Sequence, residues 1–260
     1  MRTIRYSSLL RTSIIMTLIF LSVSPGRADE TNQQPCAPWG SIGGIELYSP
    51  FANMTVAKLL SISVGAMPAD LVRDGLPWFG AARDDFLGKP RDHKGLDFYG
   101  SDLPIVAMAN GRVETRSQEE KAGYFVVIDH GNGVKTTYMH LDGPYSGPNV
   151  VKQGDILGYT GISGNAFSPQ LHLGITVDGK AIDPLTPVLN AADKETNDTI
   201  DYYRSLIPTK TEARAHLVSS YVSSDEAVRD RETKAAFEVL STIASDQNVL
   251  EWINSQKELR

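Results

Sequence analysis

Histidine and aspartate occur at a spacing that suits a metal site in the segment His93-Lys94-Gly95-Leu96-Asp97. A histidine nitrogen and a carboxylate oxygen are both good zinc ligands. A separation of four residues would fit one face of a helix, but Pro90, Gly95 and Gly100 favour a loop that runs into a strand. Because a lone His-x-x-x-Asp pattern is usually accidental, a metal site here needs further ligands from elsewhere in the chain.

Two further histidines lie in segments that alternate like β-strands. One segment ends at His140, and its alternation places His140 on the same face as Tyr138. The other, Gln170–Asp178, has an apolar row that places Gln170 and His172 side by side on the opposite face. A lone histidine in a strand is more often a structural residue than a ligand. A histidine on the polar face of an apolar-backed strand is nevertheless well placed to line a groove.

The segments around these residues predict a mostly β domain. From Leu76 to about Leu189, short runs rich in Val, Ile, Tyr and Thr alternate with glycine-containing turns. The clearest hairpin joins Tyr124–His130 to Val134–His140 through a Gly-Asn-Gly turn, which readily adopts positive φ angles. We therefore predict an open antiparallel β-sheet with a groove over residues 76–190.

The N-terminal part divides into two predicted segments. Residues 1–28 have early arginines, a short apolar run and small residues before Ala28, which predicts a cleaved signal peptide. The apolar run is shorter than a membrane helix requires, although an uncleaved anchor remains the alternative. Residues 29–75 form an N-terminal extension. Its first part, residues 29–44, is expected to be loosely structured, and Asn53 is expected to cap a short helix.

After Pro187 the apolar residues recur at helical spacing, so residues 191–260 are predicted to form a helical C-terminal tail. We expect this tail to pack on the β domain or to contact a partner, and to supply no metal ligands. The whole chain has 260 residues and a formal net charge of −6, which disfavours a nucleic-acid partner. The single cysteine excludes an intramolecular disulfide.

Taken together, these motifs resemble the LytM, or lysostaphin-like, family of zinc peptidases that act on bacterial peptidoglycan. The resemblance runs from Trp78 to Leu173 and covers less than half of the chain. It rests on Trp78-Phe79-Gly80, Arg83, His93-x-Gly95-x-Asp97-Phe98, Asn110-Gly111-Arg112-Val113, Val127-Ile128-Asp129-His130-Gly131-Asn132-Gly133, Tyr138-x-His140-Leu141, Gly154-Asp155-x-Leu157-Gly158 and Leu171-His172-Leu173.

The resemblance implies that His93, Asp97 and His172 hold one Zn²⁺ per chain and that His140 is catalytic. A second catalytic histidine of the family corresponds to Gln170 in this chain, and an acid that the family usually carries corresponds to Gly174. An amide can donate a hydrogen bond but cannot transfer a proton at neutral pH. We therefore expect Gln170 to keep an orienting role only.

The implied function is a zinc endopeptidase that cuts peptide bonds in the stems or crosslinks of peptidoglycan. Export to the periplasm or cell envelope, or otherwise to the outside of the cell, is expected, with no stable membrane span after signal cleavage. One alternative is a catalytically impaired relative that binds the wall and activates a separate amidase. Such relatives typically lose several metal ligands, whereas this chain keeps all three. Another alternative is a zinc-stabilised module that only binds the wall.

Overall fold

The structure, a computed structural model, describes residues 36–66, 75–83, 91–191, 193–243 and 245–258. The predicted signal peptide, residues 1–28, lies outside these ranges. The strands are β1 (Pro38–Ile42), β2 (Ile45–Tyr48), β3 (Ala82–Arg83), β4 (Arg91–Asp92), β5 (Leu96–Tyr99), β6 (Pro104–Val106), β7 (Gly111–Glu119), β8 (Gly123–Asp129), β9 (Val134–Leu141), β10 (Val150–Val151), β11 (Ile156–Tyr159), β12 (Gln170–Val177) and β13 (Lys180–Ile182). The helices are α1 (Val56–Ile62), α2 (Thr186–Ala191), α3 (Lys194–Ser205), α4 (Ile207–Val222), α5 (Glu226–Ser241) and α6 (Gln247–Glu258).

The main element is a seven-stranded antiparallel sheet, which confirms the predicted fold class. Its strand order is β10-β7-β8-β9-β12, and the far edge of β12 is shared between β5 and β13. The predicted hairpin is present as β8 and β9. In its turn Gly131, Asn132 and Gly133 all have positive φ angles, as the Gly-Asn-Gly sequence allows.

One face of the sheet forms the hydrophobic core. Along β12 the side chains of Leu171, Leu173 and Ile175 are fully buried, and Leu96 and Phe98 of β5 join the same core. Because side chains of a strand alternate between the two faces, the residues between these positions lie on the opposite face. The core thus fixes which face of β5 and β12 carries polar side chains.

The N-terminal extension belongs to the same packed unit. The prediction of a loosely structured segment is wrong for residues 38–42, because β1 pairs with β2. Trp39 is buried, and its indole N–H donates to the Pro184 carbonyl at 2.8 Å. Trp39, Leu47 and Phe51 lie in the same core as the sheet. Apolar burial therefore orders this segment in spite of its Gln, Pro and Gly content.

The short helix of the extension begins later than predicted. Thr55 caps α1, and its hydroxyl accepts a hydrogen bond from the Lys58 amide at 3.2 Å. Asn53, the predicted cap, instead has a φ of 60° in the preceding turn. Asparagine and threonine are both good caps, so composition alone could not choose between them.

The predicted helical tail is confirmed, and its last three helices pack on one another. Helices α4 and α5 form an antiparallel hairpin that shares a small core with α6. Ala213 of α4, Leu240 of α5, and Val249 and Ile253 of α6 form this core. His216 pairs with Glu232 across the hairpin, with Nδ1 and Oε2 2.8 Å apart. No helix in the described part of the chain is long and apolar enough to cross a membrane.

Helix α4 is also fastened to the N-terminal extension by Lys210, whose side chain is almost fully buried. Its Nζ atom donates to the carbonyls of Val64, Gly65 and Ala66 at 2.8, 2.8 and 3.3 Å. An ammonium group carries three protons, so it can satisfy all three carbonyls. Burial lowers the pKa of Lys210 to about 8, with Asp246 opposing the shift, and the group is therefore mostly protonated at pH 7.

Replacing this buried cation should destabilise the protein. The substitution Lys210→Met keeps the length of the side chain but leaves three carbonyls without their donor. Losing a partner of a buried polar group costs about 1–3 kcal/mol, and we expect the free energy of unfolding in urea to fall by that amount. The matched control is Lys234→Met on α5, where the side chain is exposed. An equal loss in both variants would contradict the anchoring role of Lys210.

Candidate metal centre

The pairing of β5 with β12 brings two predicted ligands together. In the antiparallel register Asp97 lies opposite His172, and the next pair on the same face is Gln170 with Tyr99. Directly opposed side chains of an antiparallel pair share one face. Because Leu96, Phe98, Leu171 and Leu173 fill the core, Asp97 and His172 lie together on the other face.

His93, which precedes β5, completes a triangle of potential ligand atoms. Its Nε2 atom is 2.9 Å from His172 Nδ1 and 3.1 Å from Asp97 Oδ1, and the latter two atoms are 2.8 Å apart. Tetrahedral zinc with nitrogen and oxygen ligands at their usual bond lengths holds them about 3.3 Å apart. The three atoms need to separate by only a few tenths of an ångström, so these residues fit a zinc ion.

The protonation of His93 also suits metal binding. Its Nδ1 atom lies 3.0 Å from the Trp78 carbonyl oxygen, which can only accept a hydrogen bond. Nδ1 must therefore carry the proton in the neutral ring, which leaves a lone pair on Nε2. That lone pair is directed at the other two ligand atoms. A carbonyl acting on the outer nitrogen is the usual means of orienting a metal-binding histidine.

Asp97 is a buried carboxylate with several partners. Its Oδ1 atom faces the two histidines, and its Oδ2 atom accepts a hydrogen bond from Arg83 Nη2. Burial alone would raise the pKa of the Asp97 carboxyl. The neighbouring side chains of His93, Arg83 and His172 outweigh that effect and hold the pKa well below its ordinary value. The group is therefore ionised, as a metal ligand must be.

His172 lies against Gly95, which explains the glycine in the His93-x-Gly95-x-Asp97 pattern. A Cβ atom on Gly95 would lie 2.5 Å from both Cε1 and Nε2 of the His172 ring and 2.5 Å from the Leu173 carbonyl oxygen. No side chain fits in that space. Burial lowers the pKa of His172, although Asp97 opposes the shift, so the ring is neutral at pH 7.

The substitution Gly95→Ala should weaken metal binding without removing any ligand. The added methyl group would displace the His172 ring from the triangle, and changes next to a ligand commonly cost about 10–100-fold in metal affinity. We expect a loss in this range in a chelator-competition titration with zinc. Gly143→Ala is the control, because a Cβ there meets no atom within 4 Å. Unchanged zinc affinity in folded Gly95→Ala would show that the ring is not held as described.

An irregularity in β9 places His140 on the face of the sheet that carries Asp97 and His172, named here the metal face. The register pairs Tyr124 with Leu141 but Val126 with Tyr138, so two residues of β9 oppose one of β8. His140, within this bulge, has a φ of 64°. Tyr138 and Leu141 lie in the core, whereas the ring of His140 is 6.2 Å from that of His172. The predicted sharing of one face by Tyr138 and His140 is therefore wrong, because the bulge reverses the alternation.

A backbone carbonyl fixes the tautomer of His140. Its Nδ1 atom lies 2.9 Å from the Ser163 carbonyl oxygen, so Nδ1 carries the proton and Nε2 keeps a lone pair. Ser163 is itself held by its hydroxyl, which donates to the Leu141 carbonyl and accepts from the Tyr124 amide. Burial lowers the pKa of His140, and the neighbouring imidazole of His172 adds to the shift. The ring is therefore a neutral base at pH 7.

Gln170 lies on the predicted face but is poorly satisfied. Its side chain is 4% exposed, and its Oε1 atom has no hydrogen-bond partner among the residues that the structure describes. Leaving a buried amide oxygen unpaired costs free energy. Such an exception is typical of a group that awaits a ligand or a water molecule.

Sequence reasoning found the residues of the metal face but not the atoms that hold them. Trp78 and Arg83 were named only as parts of the resemblance, and Ser163 was not found at all. Trp78 and Ser163 act through their backbone carbonyls, which every residue type possesses. The sequence alone could not indicate that His140 points away from Tyr138, because the extra residue of β9 is defined only by the pairing of β9 with β8.

Comparisons with known proteins support the family resemblance. Residues 91–184 match the model of Peptidase family M23. An uncharacterized metalloprotease of Haemophilus influenzae is 36% identical over 107 residues, which are 40% of this chain and 22% of that protein. The DD-carboxypeptidase/endopeptidase Mpg of Neisseria meningitidis serogroup B is 31% identical over 122 residues, 45% of this chain and 28% of that protein.

A third relative is named for its substrate. The peptidoglycan DD-endopeptidase ShyC of Vibrio cholerae is 34% identical over 112 residues, 42% of this chain and 26% of that protein. The chain thus spans less than a third of each of these curated relatives. The matched region contains His93, Asp97, His140, Gln170 and His172, and the resemblance to the LytM and lysostaphin family is confirmed.

Proposed function

We propose that this chain, whose residues 91–184 match the model of Peptidase family M23, is a zinc-dependent endopeptidase that cleaves peptide bonds in peptidoglycan. The observation that carries the proposal is the convergence of His93 Nε2, Asp97 Oδ1 and His172 Nδ1 to within 3.1 Å of one another. His140 lies beside this triangle with a free ring nitrogen. The relative named as a peptidoglycan DD-endopeptidase supports the substrate class, and the one named as a DD-carboxypeptidase/endopeptidase supports the cleavage of peptide bonds.

The chemistry divides among the residues according to their protonation. Zinc held by three protein ligands leaves a fourth position for water and supplies Lewis-acid activation of that water and of a carbonyl. His140 Nε2, with its lone pair free, is placed to accept a proton and later to return it to the leaving amine. Gln170 cannot transfer a proton, so its unpaired Oε1 is assigned to accept a hydrogen bond from a peptide N–H of the substrate.

Peptidoglycan lies outside the cytoplasmic membrane, so the proposed substrate requires export. The arginines and apolar run before Ala28 support a signal peptide that is cleaved there. The mature chain would then act in the periplasm or cell envelope, or outside the cell.

A second candidate is favoured by Gln170, which stands where the family has a catalytic histidine. The protein would then bind the wall and stimulate a separate amidase without cutting peptides itself. Against this, all three ligands are kept in a geometry that fits zinc. An activator has no need for a neutral base beside the metal ligands, yet His140 is held as one.

An assay with two enzymes separates these functions. The zinc-loaded protein is incubated with purified peptidoglycan, alone and together with a cell-wall amidase. The endopeptidase proposal expects new peptide termini from the protein alone. The activator alternative expects no termini from the protein alone and faster release of peptides from sugars by the amidase, and that pair of results would replace the endopeptidase proposal.

A further inference from the structure

The C-terminal tail contacts the part of the chain that holds the metal ligands. Residues 75–81, named here the support segment, have a small apolar cluster of their own formed by Leu76 and Ala81. Leu217 of α4 packs against that cluster, beside Trp78. Leu217 also packs on the core of the helical tail. It is therefore an apolar link between the tail and the support segment.

The support segment is hydrogen-bonded to His93, which precedes β5, and to Asp97, which lies within β5. The His93 amide donates to the Ala81 carbonyl at 2.8 Å, and the Gly80 amide donates to the His93 carbonyl at 2.9 Å. The Asp97 amide donates to the Pro77 carbonyl at 2.9 Å. The Trp78 carbonyl adds the contact to the His93 ring that sets its tautomer. The position of the support segment thus determines where His93 Nε2 and the Asp97 carboxylate lie.

Helix α4 can hold Leu217 against the support segment because hydrogen bonds fix the helix near both of its ends. Near its start Lys210 binds three carbonyls of the N-terminal extension. Near its end Ser220 bonds Thr233 of α5, and His216 pairs with Glu232. Leu217 lies between these anchors. A change at Leu217 therefore alters the contact with the support segment and leaves the anchors of the helix in place.

We propose that Leu217 is a positioning residue for the metal centre, through which helix α4 holds the support segment and, with it, His93 and Asp97. The proposal rests on the assignment of these residues as zinc ligands. It makes the helical tail part of the scaffold of the site, although the tail supplies no ligand. Removing the contact should loosen the support segment and weaken metal binding while the ligands remain unchanged.

The test compares Leu217→Ala and the milder Leu217→Val with Leu217→Met, which keeps most of the apolar volume. Ile243→Ala is the matched control, because Ile243 packs on the core of the tail and, within the described part of the chain, on neither of the other two apolar clusters. Zinc affinity is measured by chelator competition, and the site geometry by the visible absorption of the cobalt-substituted protein. Hydrogen exchange of the His93 and Asp97 amides is measured in the metal-free protein, so that it reports on the support segment alone.

We expect Leu217→Ala to bind zinc roughly tenfold more weakly, at the lower end of the range for residues outside the ligand set. Its cobalt spectrum should shift, and the two amides should exchange faster. Leu217→Val should show the same changes to a smaller degree. Leu217→Met should restore all three readings, and Ile243→Ala should match the wild type even though its unfolding free energy falls.

Two results would overturn the inference. One is wild-type zinc affinity and amide protection in Leu217→Ala. The other is an equal loss in Ile243→Ala, which would show that the whole tail matters rather than this contact. If the wild type binds no zinc, the proposed function fails, whereas amide exchange still decides whether Leu217 holds the support segment.

Discussion

Replacing His93 with alanine is expected to remove zinc binding and peptidoglycan cleavage together. Two ligands cannot hold the ion in the way that three do, and the change also leaves the buried Asp97 carboxylate without one of its partners. Substitutions outside a ligand set already cost about 10–100-fold in metal affinity. We therefore expect a loss greater than about 100-fold. The measurements are zinc content after dialysis and the release of new peptide termini.

The control for this prediction is Lys234→Ala. The Lys234 side chain is exposed on α5 and lies in neither the triangle nor the support segment. This variant should keep zinc and activity. A His93→Ala protein that folds, retains about one zinc per chain and still cleaves peptidoglycan would show that the ion binds elsewhere.

The second large effect is expected at His140 and Gln170. General acid–base catalysis contributes about 10²–10⁴-fold to a rate. His140→Ala should lower cleavage by a factor in that range while zinc stays bound, because His140 is none of the three proposed ligands and its ring centre lies 6.2 Å from that of His172. Gln170→His introduces the residue that the family resemblance implies at this position and should raise turnover, since an imidazole can transfer a proton and an amide cannot.

The same pair of variants distinguishes catalysis from scaffolding. Turnover and zinc content are measured for the wild type, His140→Ala, Gln170→His and the double variant. If Gln170→His is no faster than the wild type and His140→Ala is no slower, neither residue performs acid–base chemistry. A wild-type protein that does not cleave peptidoglycan but still stimulates an amidase would support the activator function instead, provided that His140→Ala leaves the stimulation unchanged.

The sequence was most informative where apolar and other residues alternate strictly along one strand. In β12 the alternation alone placed Leu171 and Leu173 in the core and Gln170 and His172 on the opposite face, as the structure shows. It could not show that Asp97 lies opposite His172. That pairing joins residues distant in the chain, and the register of β5 on β12 is set by the shared core rather than by local preference.

Local patterns failed where distant contacts decide the conformation. Alternation put His140 beside Tyr138, but the extra residue of β9 exists only relative to β8. The Gln-rich, Gly-rich and Pro-rich composition near Trp39 predicted loose structure, but burial of that side chain orders the hairpin. The contact of Leu217 with the support segment is of the same kind. Helical spacing predicted the helices of the tail, without indicating what Leu217 contacts.

The most direct test of the proposed function is mass spectrometry of purified peptidoglycan after digestion. The protein is used zinc-loaded, then stripped with a chelator, then reloaded with zinc. The proposal predicts that the zinc-loaded protein splits peptide bonds in the stems or crosslinks and leaves the sugar chains whole. It also predicts that the stripped protein yields no such products and that added zinc restores them. Peptidoglycan left intact by folded, zinc-loaded protein, or cut equally well after zinc is removed, would contradict it.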